Sequence, residues 1–388
     1  MNEGITVFQQ LAENLPKYDF RCCVDRYGGS FKVQHFTCWS QLLVMVFAQL
    51  TFRQSLRDTI TCLRAMTPKL YHLGIRSGVA RSTLADANES RDWRIYADFA
   101  AVLIRKARVL YAGESPGVDL SETVYALDST VVDLCLSVFP WARYAPAQAA
   151  VKIHTLLDLR GSIPAFIRIT GWDTADVRLL DDIVAEPGSI YVMDRGYQDF
   201  ERLYSLERAK AFFVIRSRAN LVMRRISSSP VDTSTGLRCD QIVRPGTYYS
   251  GKAYPALLRR VRFYDAAHGR SLVFLTNDFA HPALTIANLY RRRWQVELFF
   301  KWIKQHLRIR SFFGTSENAV KTQIWTAVCA YVLVAIARHQ LRLDISMYQL
   351  MQIISVSAFE KQPIRDLVPD AKATLSEADL CKPLLPFE

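Results

Sequence analysis

The chain has 388 residues, 50% of them hydrophobic and 22% charged, so it is able to bury a sizeable core and is not disordered by composition. Its formal net charge of +12 favours a polyanionic partner, such as nucleic acid or an acidic membrane surface. The eight cysteines form no Cys-x-x-Cys pair, which leaves a structural zinc site with little support. Reduced thiols and an N-terminus without a secretion signal predict a cytoplasmic protein.

The first part of the chain is predicted to be helical. Apolar residues recur at helical spacing within residues 36–110, a turn is predicted at 82–88, and a further helix at 93–110. Residues 111–117 have the composition of a linker. We therefore predict a helical N-terminal DNA-binding domain over residues 1–115, although its arginines form no motif that names base contacts.

The middle of the chain changes to β-branched and apolar runs that predict a mixed α/β sheet. The predicted strands cover residues 123–134, 151–157, 165–170, 189–194 and 211–216, with helical patterns at 177–184 and 200–210. This gives a first core segment at 116–218, and short strands with Gly and Pro turns then predict a β-rich insertion at 219–280.

Two strong helical patterns, Leu284–Arg310 and Val320–Arg342, follow the insertion and complete the predicted core at 281–345. The most apolar stretch, Ile324–Ala337, has 14 residues and is too short to span a bilayer, which needs about 20. It is predicted to be a core helix, and a membrane protein is excluded. The tail at 346–388 is either a contact surface for a second copy or packs on the core.

Two predicted strands carry an aspartate at or near their ends. Asp128 lies in Ala-Leu-Asp-Ser-Thr, and Asp194 begins Asp-Arg-Gly-Tyr. Burial of a carboxylate in an apolar strand is costly, so each residue alone is read most simply as a surface-loop aspartate. The pair becomes informative with a third acid.

The third acid lies in a predicted helix that is rich in cations. At about 100° per residue, Arg293, Glu297 and Lys304 fall within about 60° of Tyr290, on one face. Lys301 and Arg308 lie close to the same face. The adjoining face is apolar and is predicted to pack on the sheet through Leu289, Val296, Phe300, Ile303 and Leu307.

A lone glutamate in such a helix has two interpretations. It forms an ordinary helix salt bridge with Arg293 or Lys301, or it is a metal ligand whose basic neighbours hold phosphates. Three carboxylates on two strands and a helix suit hard cations such as Mg²⁺. Two such ions, about 4 Å apart, activate a water or hydroxyl and stabilise the leaving oxygen in phosphodiester cleavage.

The spacing Tyr290-x2-Arg293-x3-Glu297-x6-Lys304 resembles the YREK signature of DDE transposases of the insertion-sequence group numbered four. Asp128 and Asp194 resemble the first two acids of that family, and the gap between Asp194 and Glu297 resembles its β-stranded insertion. The resemblance covers about residues 120–310 well and the helical N-terminal part more loosely.

This resemblance implies an RNase H-like core and cut-and-paste DNA transposition through hairpin intermediates. It also implies that Asp128, Asp194 and Glu297 bind Mg²⁺ or Mn²⁺, and that Tyr290, Arg293 and Lys304 contact DNA phosphates. The implied partners are double-stranded DNA, both terminal inverted repeats and target, and a second copy in a synaptic complex, with nucleoid association when DNA is bound.

The family's relatives hold a flipped base with a tryptophan of the insertion, but residues 219–280 contain none. An aromatic residue substitutes by stacking, or these rings only pack. The candidates are Tyr248, Tyr249, Tyr254, Phe263 and Trp294.

Further candidates are less specific. Lys152 and His154 share one strand face and either touch DNA beside the metals or form a plain surface pair. Tyr197, Lys301 and Arg308 join the predicted DNA contacts, as do Arg216 and Arg218 in a basic run that continues to Arg224 and Arg225. Asp133, Asp158 and Asp173 compete as metal ligands, although Asp133 points to the opposite strand face from Asp128.

Two alternatives to a transposase stay open on the sequence alone. The first is a transposase-derived DNA-binding regulator that no longer catalyses, and the presence of all three acids argues against it. The second is a metal-dependent DNA nuclease without strand transfer.

Overall fold

The computed structural model describes residues 4–71, 75, 78–145, 148–306 and 312–368. The chain folds as two compact units. The first combines residues 1–99 with residues 325–388, and the second comprises residues 100–324. The functional domain boundaries predicted from the sequence stay predictions.

The first unit is helical. Its helices, two of which continue into the second unit, are α1 (Val7–Ala12), α2 (Lys17–Arg26), α3 (Cys38–Leu50), α4 (Leu56–Ala65), α5 (Thr67–Leu70), α6 (Arg81–Ser90), α7 (Arg94–Leu110), α12 (Glu317–Gln340) and α13 (Met347–Ser357). The hydroxyl of Thr37 caps α3 by accepting the Ser40 N–H at 3.1 Å. Nearly all of α3 is buried, and Phe20 packs edge-on against Phe99 at 4.9 Å. The turn predicted at 82–88 is wrong, because α6 covers it.

The long helix α12 is the predicted core helix. It extends beyond the 14-residue apolar stretch and is long and apolar enough to cross a membrane by length and composition. However, 94% of its most apolar 18-residue window is buried within the protein. A helix that is apolar on all sides and buried is typical of a protein core.

The second unit is built on one large mixed sheet. Its strands are β1 (Val124–Leu134), β2 (Arg143–Ala145), β3 (Gln148–Asp158), β4 (Ile163–Gly171), β5 (Ile190–Met193), β6 (Phe212–Arg216), β7 (Met223–Ser229), β8 (Leu237–Pro245), β9 (Leu258–Asp265) and β10 (Arg270–Thr276). The sheet order is β2-β3-β1-β5-β6-β10-β9-β8-β7, with β4 paired to β3. Strands β1, β5 and β6 are parallel, and β3 is antiparallel to β1. The segment β4-β3-β1-β5-β6 has the arrangement of an RNase H-like core, as the resemblance implied.

The helices of this unit cover the sheet. They are α8 (Phe200–Arg208), α9 (Tyr248–Ala253), α10 (Ala283–Arg292) and α11 (Trp294–His306). One sheet face packs through Leu127, Met193 and Ile215 against α8, in a cluster that includes Leu203 and Leu206. Helix α11 packs on β1 and α10 on β6. The predicted core and the predicted insertion share one sheet.

Two further elements differ from the sequence predictions. The segment predicted as one helix, Leu284–Arg310, divides at Arg293 into α10 and α11. Residues 244–251, predicted as strand and turn, contain the start of the short helix α9, which the Thr247 and Ser250 side chains cap reciprocally. A capping box in a short polar segment was the overlooked signal.

Candidate active site

The two aspartates that the sequence singled out begin from neighbouring strands, but only Asp194 lies at a strand end, because Asp128 is in the interior of β1. In the parallel sheet Leu127 of β1 pairs with Met193 of β5, so the next residues, Asp128 and Asp194, follow in step at the same edge. Met193 in turn pairs with Ile215 of β6, which places Arg216 beside Asp194. Neighbouring strands are about 4.8 Å apart. The carboxylates of Asp128 and Asp194 and the guanidinium of Arg216 thus extend from neighbouring backbone positions.

Asp128 is largely buried and is held by two hydrogen bonds. Its Oδ1 accepts the Ser129 N–H at 2.8 Å, and its Oδ2 accepts from Arg293 Nη1 at 2.6 Å. Burial raises the pKa of Asp128 to about 6, against the opposing effect of the Arg293 charge, and the negative charges of Asp194 and Glu297 add to the rise. A carboxylate in this position requires a nearby cation to stay ionised.

Asp194 directly follows β5 and caps the 3-10 turn Arg195–Tyr197. Its Oδ1 accepts the Gly196 N–H at 2.7 Å. A Cβ at Gly196 would lie 2.9 Å from this oxygen, closer than a carbon and an oxygen approach without displacement. The glycine of the Asp-Arg-Gly sequence therefore leaves room for the Asp194 carboxylate.

Glu297 reaches the same region from the first turn of α11. The division at Arg293 is a tightened turn, because the Arg293 N–H bonds to the Tyr290 carbonyl at 3.1 Å and the Val296 N–H to the Arg293 carbonyl at 3.0 Å. A glutamate at a helix N-terminus is electrostatically favourable. The predicted apolar face packs as expected at Leu289, Val296, Phe300 and Ile303, whereas Leu307 lies outside the described residues.

Arg293 joins Glu297 to Asp128. Its Nη1 lies 2.6 Å from Asp128 Oδ2 and its Nη2 lies 2.6 Å from Glu297 Oε1, with 15% of its side chain exposed. The helix salt bridge between Arg293 and Glu297 that the sequence suggested is therefore present. The sequence did not predict its third member, Asp128, because that contact depends on how α11 packs on β1.

Tyr290 supports this arrangement from the end of α10. Its ring packs on Phe274 at a centroid distance of 4.7 Å, and the Arg293 guanidinium lies 5.6 Å from the ring centre. Burial raises the pKa of Tyr290, while Arg293 and Arg216 oppose the rise. The phenol is thus neutral and lies among the cations nearest to the acids.

The oxygen donors of Asp128, Asp194 and Glu297 are of the chemical kind that a divalent metal binds. Asp128 and Asp194 offer adjacent carboxylates, and Glu297 shares a guanidinium with Asp128. Oxygen ligands of this kind are those that Mg²⁺ and Mn²⁺ prefer. Within the part of the chain that the structure describes, no three acidic, histidine or cysteine side chains form a ready metal cluster, and between Asp128 and Glu297 the cation present is Arg293.

The other acids that the sequence offered as metal ligands lie in different environments. Asp158 is buried and pairs with Arg160 at 2.8 Å, at the end of β3 opposite Tyr125 and away from Asp128. Asp133 and Asp173 are exposed. Asp158 therefore forms a structural ion pair with Arg160.

Two predicted DNA contacts are buried. His154 is 0% exposed, its Nε2 lies 2.9 Å from Thr170 Oγ1, and burial lowers its pKa to about 4. Tyr197 is likewise buried in the cluster with Leu203. Side chains without exposed surface cannot touch a duplex in this conformation, so neither contact is carried forward.

Sequence reasoning named Lys152 but missed Ser129 and Asp176, the polar residues that contact each other beside Asp128. Asp176 Oδ1 accepts from Ser129 Oγ at 2.6 Å and lies 3.3 Å from Lys152 Nζ, which also donates to the Thr174 carbonyl at 3.1 Å. Asp176 thus holds Ser129, whose N–H holds Asp128. The alternation of side chains along β1 and β3 indicated Ser129 and Lys152, but nothing local indicated Asp176.

The other predicted DNA contacts differ in how far they are exposed. Lys301 and Lys304 are exposed on α11, Trp294 is 59% exposed, and Arg218 is exposed after β6. Arg308 lies outside the described residues. Of the candidate stacking rings, Tyr254 and Phe263 are buried, and Tyr254 donates to Glu207, so both pack in the core. Tyr248 and Tyr249 are 78% and 83% exposed.

An RNase H-like sheet with aspartates on two adjacent parallel strands and a glutamate on the helix that packs on β1 defines the class of metal-dependent enzymes that act on nucleic-acid backbones. Residues 119–333 match the profile of the family described as Transposase DDE domain. The chain belongs to the DDE transposase family and is a DNA transposase. Residues 3–76 match a second family, DUF4372, a domain of unknown function.

Individual relatives agree with this family. The chain is 31% identical to the protein named transposase y4zB of Sinorhizobium fredii over 72% of this chain and 78% of that protein. It is 34% identical to the transposase of insertion sequence element IS5377 of Geobacillus stearothermophilus, over 53% of this chain and 54% of that protein. For the transposase of IS4SA from Synechocystis, the identity is 24% over 70% and 75%. A chain from the cryo-EM structure of the piggyBac transposase synaptic complex with hairpin DNA shares 12% identity at a TM-score of 0.44, over 95% of this chain and 85% of that one.

Proposed function

We propose that Asp128, Asp194 and Glu297 are the catalytic, metal-binding residues of this transposase and that they hold Mg²⁺, for which Mn²⁺ substitutes. The observation that supports the proposal is a pair of links: Asp128 and Asp194 directly follow the paired residues Leu127 and Met193 of two adjacent strands, and one guanidinium joins Asp128 to Glu297. Ions bound there supply activation of the attacking oxygen and stabilisation of the leaving oxygen.

The chain's own residues hold the DNA backbone against these acids. Arg216 is the last residue of β6, beside Asp194, and the charges of Arg216 and Arg293 both act on Tyr290. Lys301, Lys304, Arg218 and Trp294 offer exposed charge and ring surface, and Arg308 belongs to the same predicted set. Cations placed at a scissile phosphate offset the charge that develops in the transition state.

The substrate that we propose is double-stranded DNA carrying the terminal inverted repeats, which the enzyme cleaves and joins to target DNA. Joining two ends requires both in one complex, and we propose that two copies of the chain assemble on them. The net charge of +12 supports a DNA partner. Light scattering of the protein with a repeat duplex measures the number of copies.

The decisive experiment uses a duplex with the inverted repeat that flanks the coding region, with Mg²⁺. Glu297→Gln and Asp194→Asn keep side-chain volume but remove a charged ligand, so we expect cleavage to be abolished while DNA binding remains. Asp173→Asn removes an exposed carboxylate and is the matched control. Cleavage by Glu297→Gln at the wild-type rate, with Mg²⁺ still required, contradicts the assignment.

The same assay distinguishes the remaining alternatives. Joined products identify strand transfer, and nicks without joined products identify a nuclease. A wild-type protein that binds the repeat and leaves it uncut is the catalytically silent regulator.

A further inference from the structure

Arg293 has a contact pattern that its predicted role as a phosphate contact does not explain. Both terminal nitrogens are engaged by carboxylates, Asp128 on one side and Glu297 on the other, each at 2.6 Å. A guanidinium has a rigid planar fork, so these two bonds fix its orientation. A phosphate therefore competes with the two carboxylates for the paired fork of N–H groups with which a guanidinium binds an oxyanion most strongly.

The same two carboxylates are proposed to hold a divalent ion. A cation placed between Asp128 and Glu297 competes with the guanidinium for their oxygens, since each carboxylate points one oxygen at Arg293. Arg293 stays charged at any ordinary pH, so it cannot yield by losing a proton. An ion that binds these two oxygens therefore displaces the guanidinium from them.

We propose that Arg293 is a positioning residue that exchanges partners. In the metal-free protein it holds Asp128 and Glu297 together and neutralises them, and on metal loading it releases them and turns to the DNA phosphate. This inference rests on the proposed function, because it takes the three acids as the metal ligands.

The exchange has a thermodynamic consequence. A bound ion releases the Arg293 guanidinium, which can then bind a DNA phosphate. A bound phosphate in turn holds Arg293 away from the carboxylates, where it would compete with the ion. Metal and DNA therefore each strengthen the binding of the other. Such coupling is reciprocal and usually amounts to about 5- to 150-fold in affinity. A structural salt bridge that merely orients the two carboxylates predicts no coupling of this kind.

The test measures Mn²⁺ binding to the full chain by electron paramagnetic resonance, without DNA. Arg293→Gln removes the competitor, so we expect Mn²⁺ to bind about 5- to 150-fold more tightly. Arg216→Gln is the matched control, because it removes the same charge beside Asp194 but breaks no carboxylate pair among the described residues. A gain no larger in Arg293→Gln than in Arg216→Gln, or a loss of affinity, overturns the proposal.

A second measurement follows DNA binding by fluorescence anisotropy with and without Ca²⁺, using the repeat duplex. The wild-type protein is expected to bind the duplex more tightly with Ca²⁺, and Arg293→Gln to lose most of that gain relative to Arg216→Gln. An equal gain in both variants also overturns the exchange. A thermal melt confirms that each variant is folded, and Arg293→Lys serves if the glutamine variant does not fold, with an intermediate Mn²⁺ affinity expected.

Asp128→Asn separates this inference from the proposed function. If Asp128→Asn leaves Mn²⁺ affinity unchanged, the assignment of the ligands fails, and the exchange fails with it. If Asp128→Asn weakens Mn²⁺ binding and Arg293→Gln does not strengthen it beyond the control, the ligands stand and only the exchange is wrong.

Discussion

Asp128 and Asp194 each occupy the first position beyond a register pair, Leu127 with Met193, that joins two adjacent parallel strands. Their proximity is thus fixed by backbone hydrogen bonds and does not depend on the conformation of a loop. A site whose residues are positioned by paired strands keeps its geometry better than one carried by loops alone. The following predictions test the residues that surround this pair.

Gly196→Ala is expected to reduce cleavage without unfolding the protein. The added Cβ meets the Asp194 Oδ1 at 2.9 Å, and the carboxylate, as the end of a side chain, is able to turn aside. The thermal midpoint should stay near that of the wild type while the cleavage rate falls by about tenfold or more, since small misplacements of catalytic groups are costly. Gly113→Ala, with open space around its added carbon, is the control. Full activity in Gly196→Ala would show that the Asp194 orientation is not critical.

Tyr248→Ala and Tyr249→Ala are expected to weaken DNA binding and to leave stability unchanged. Both rings are exposed, so their removal should alter the free energy of unfolding by less than about 0.5 kcal/mol. A ring that stacks on a base contributes about 1–3 kcal/mol to binding. Titration of the repeat duplex by anisotropy, beside urea unfolding, measures both quantities. Tyr254→Phe, in the buried ring, should leave DNA affinity as it is; unchanged affinity in both exposed variants would exclude them as stacking residues.

His154 should make the protein less stable at mildly acid pH. Burial lowers its pKa from 6.5 to about 4. Between these pH values His154 is therefore protonated in the unfolded chain but neutral in the folded protein. The contribution of neutral His154 to the free energy of unfolding is complete above pH 6.5. It is lost as the pH falls towards 4, by on the order of 3 kcal/mol in total. Urea unfolding of the wild type and of His154→Gln between pH 7 and 4 should show a smaller pH dependence in the variant. Parallel curves would contradict the assignment.

Asp176→Asn is expected to destabilise the protein through Lys152. The ammonium of Lys152 is largely buried and loses its charged partner, 3.3 Å away, although it keeps the Thr174 carbonyl. We expect the free energy of unfolding to fall by about 1–3 kcal/mol. Asp173→Asn, three residues earlier and exposed, should change it by less than about 0.5 kcal/mol. A similar decrease in the free energy of unfolding in both variants would show that the contact with Lys152 is not the cause.

The strands of the core could be predicted because their signals are local. Apolar and β-branched runs marked β1, β5 and β6 to within one or two residues, and the aspartates at 128 and 194 followed from them. The division at Arg293 escaped prediction because the apolar spacing continues from Leu289 to Val296 without a glycine or proline. The burial of His154 depends on its neighbours in space, Thr170 and Asp176, which no spacing along the chain reveals.

The pairing of β6 with β10 has a consequence for attempts to shorten this enzyme. Removing residues 219–276 would take away the partner of Val214 and Ile215, both fully buried, and turn β6 into an unprotected sheet margin. Bare margins of that kind recruit other chains and aggregate. A minimal version of the enzyme must therefore retain β10, or replace it with another strand that seals the same side of the sheet.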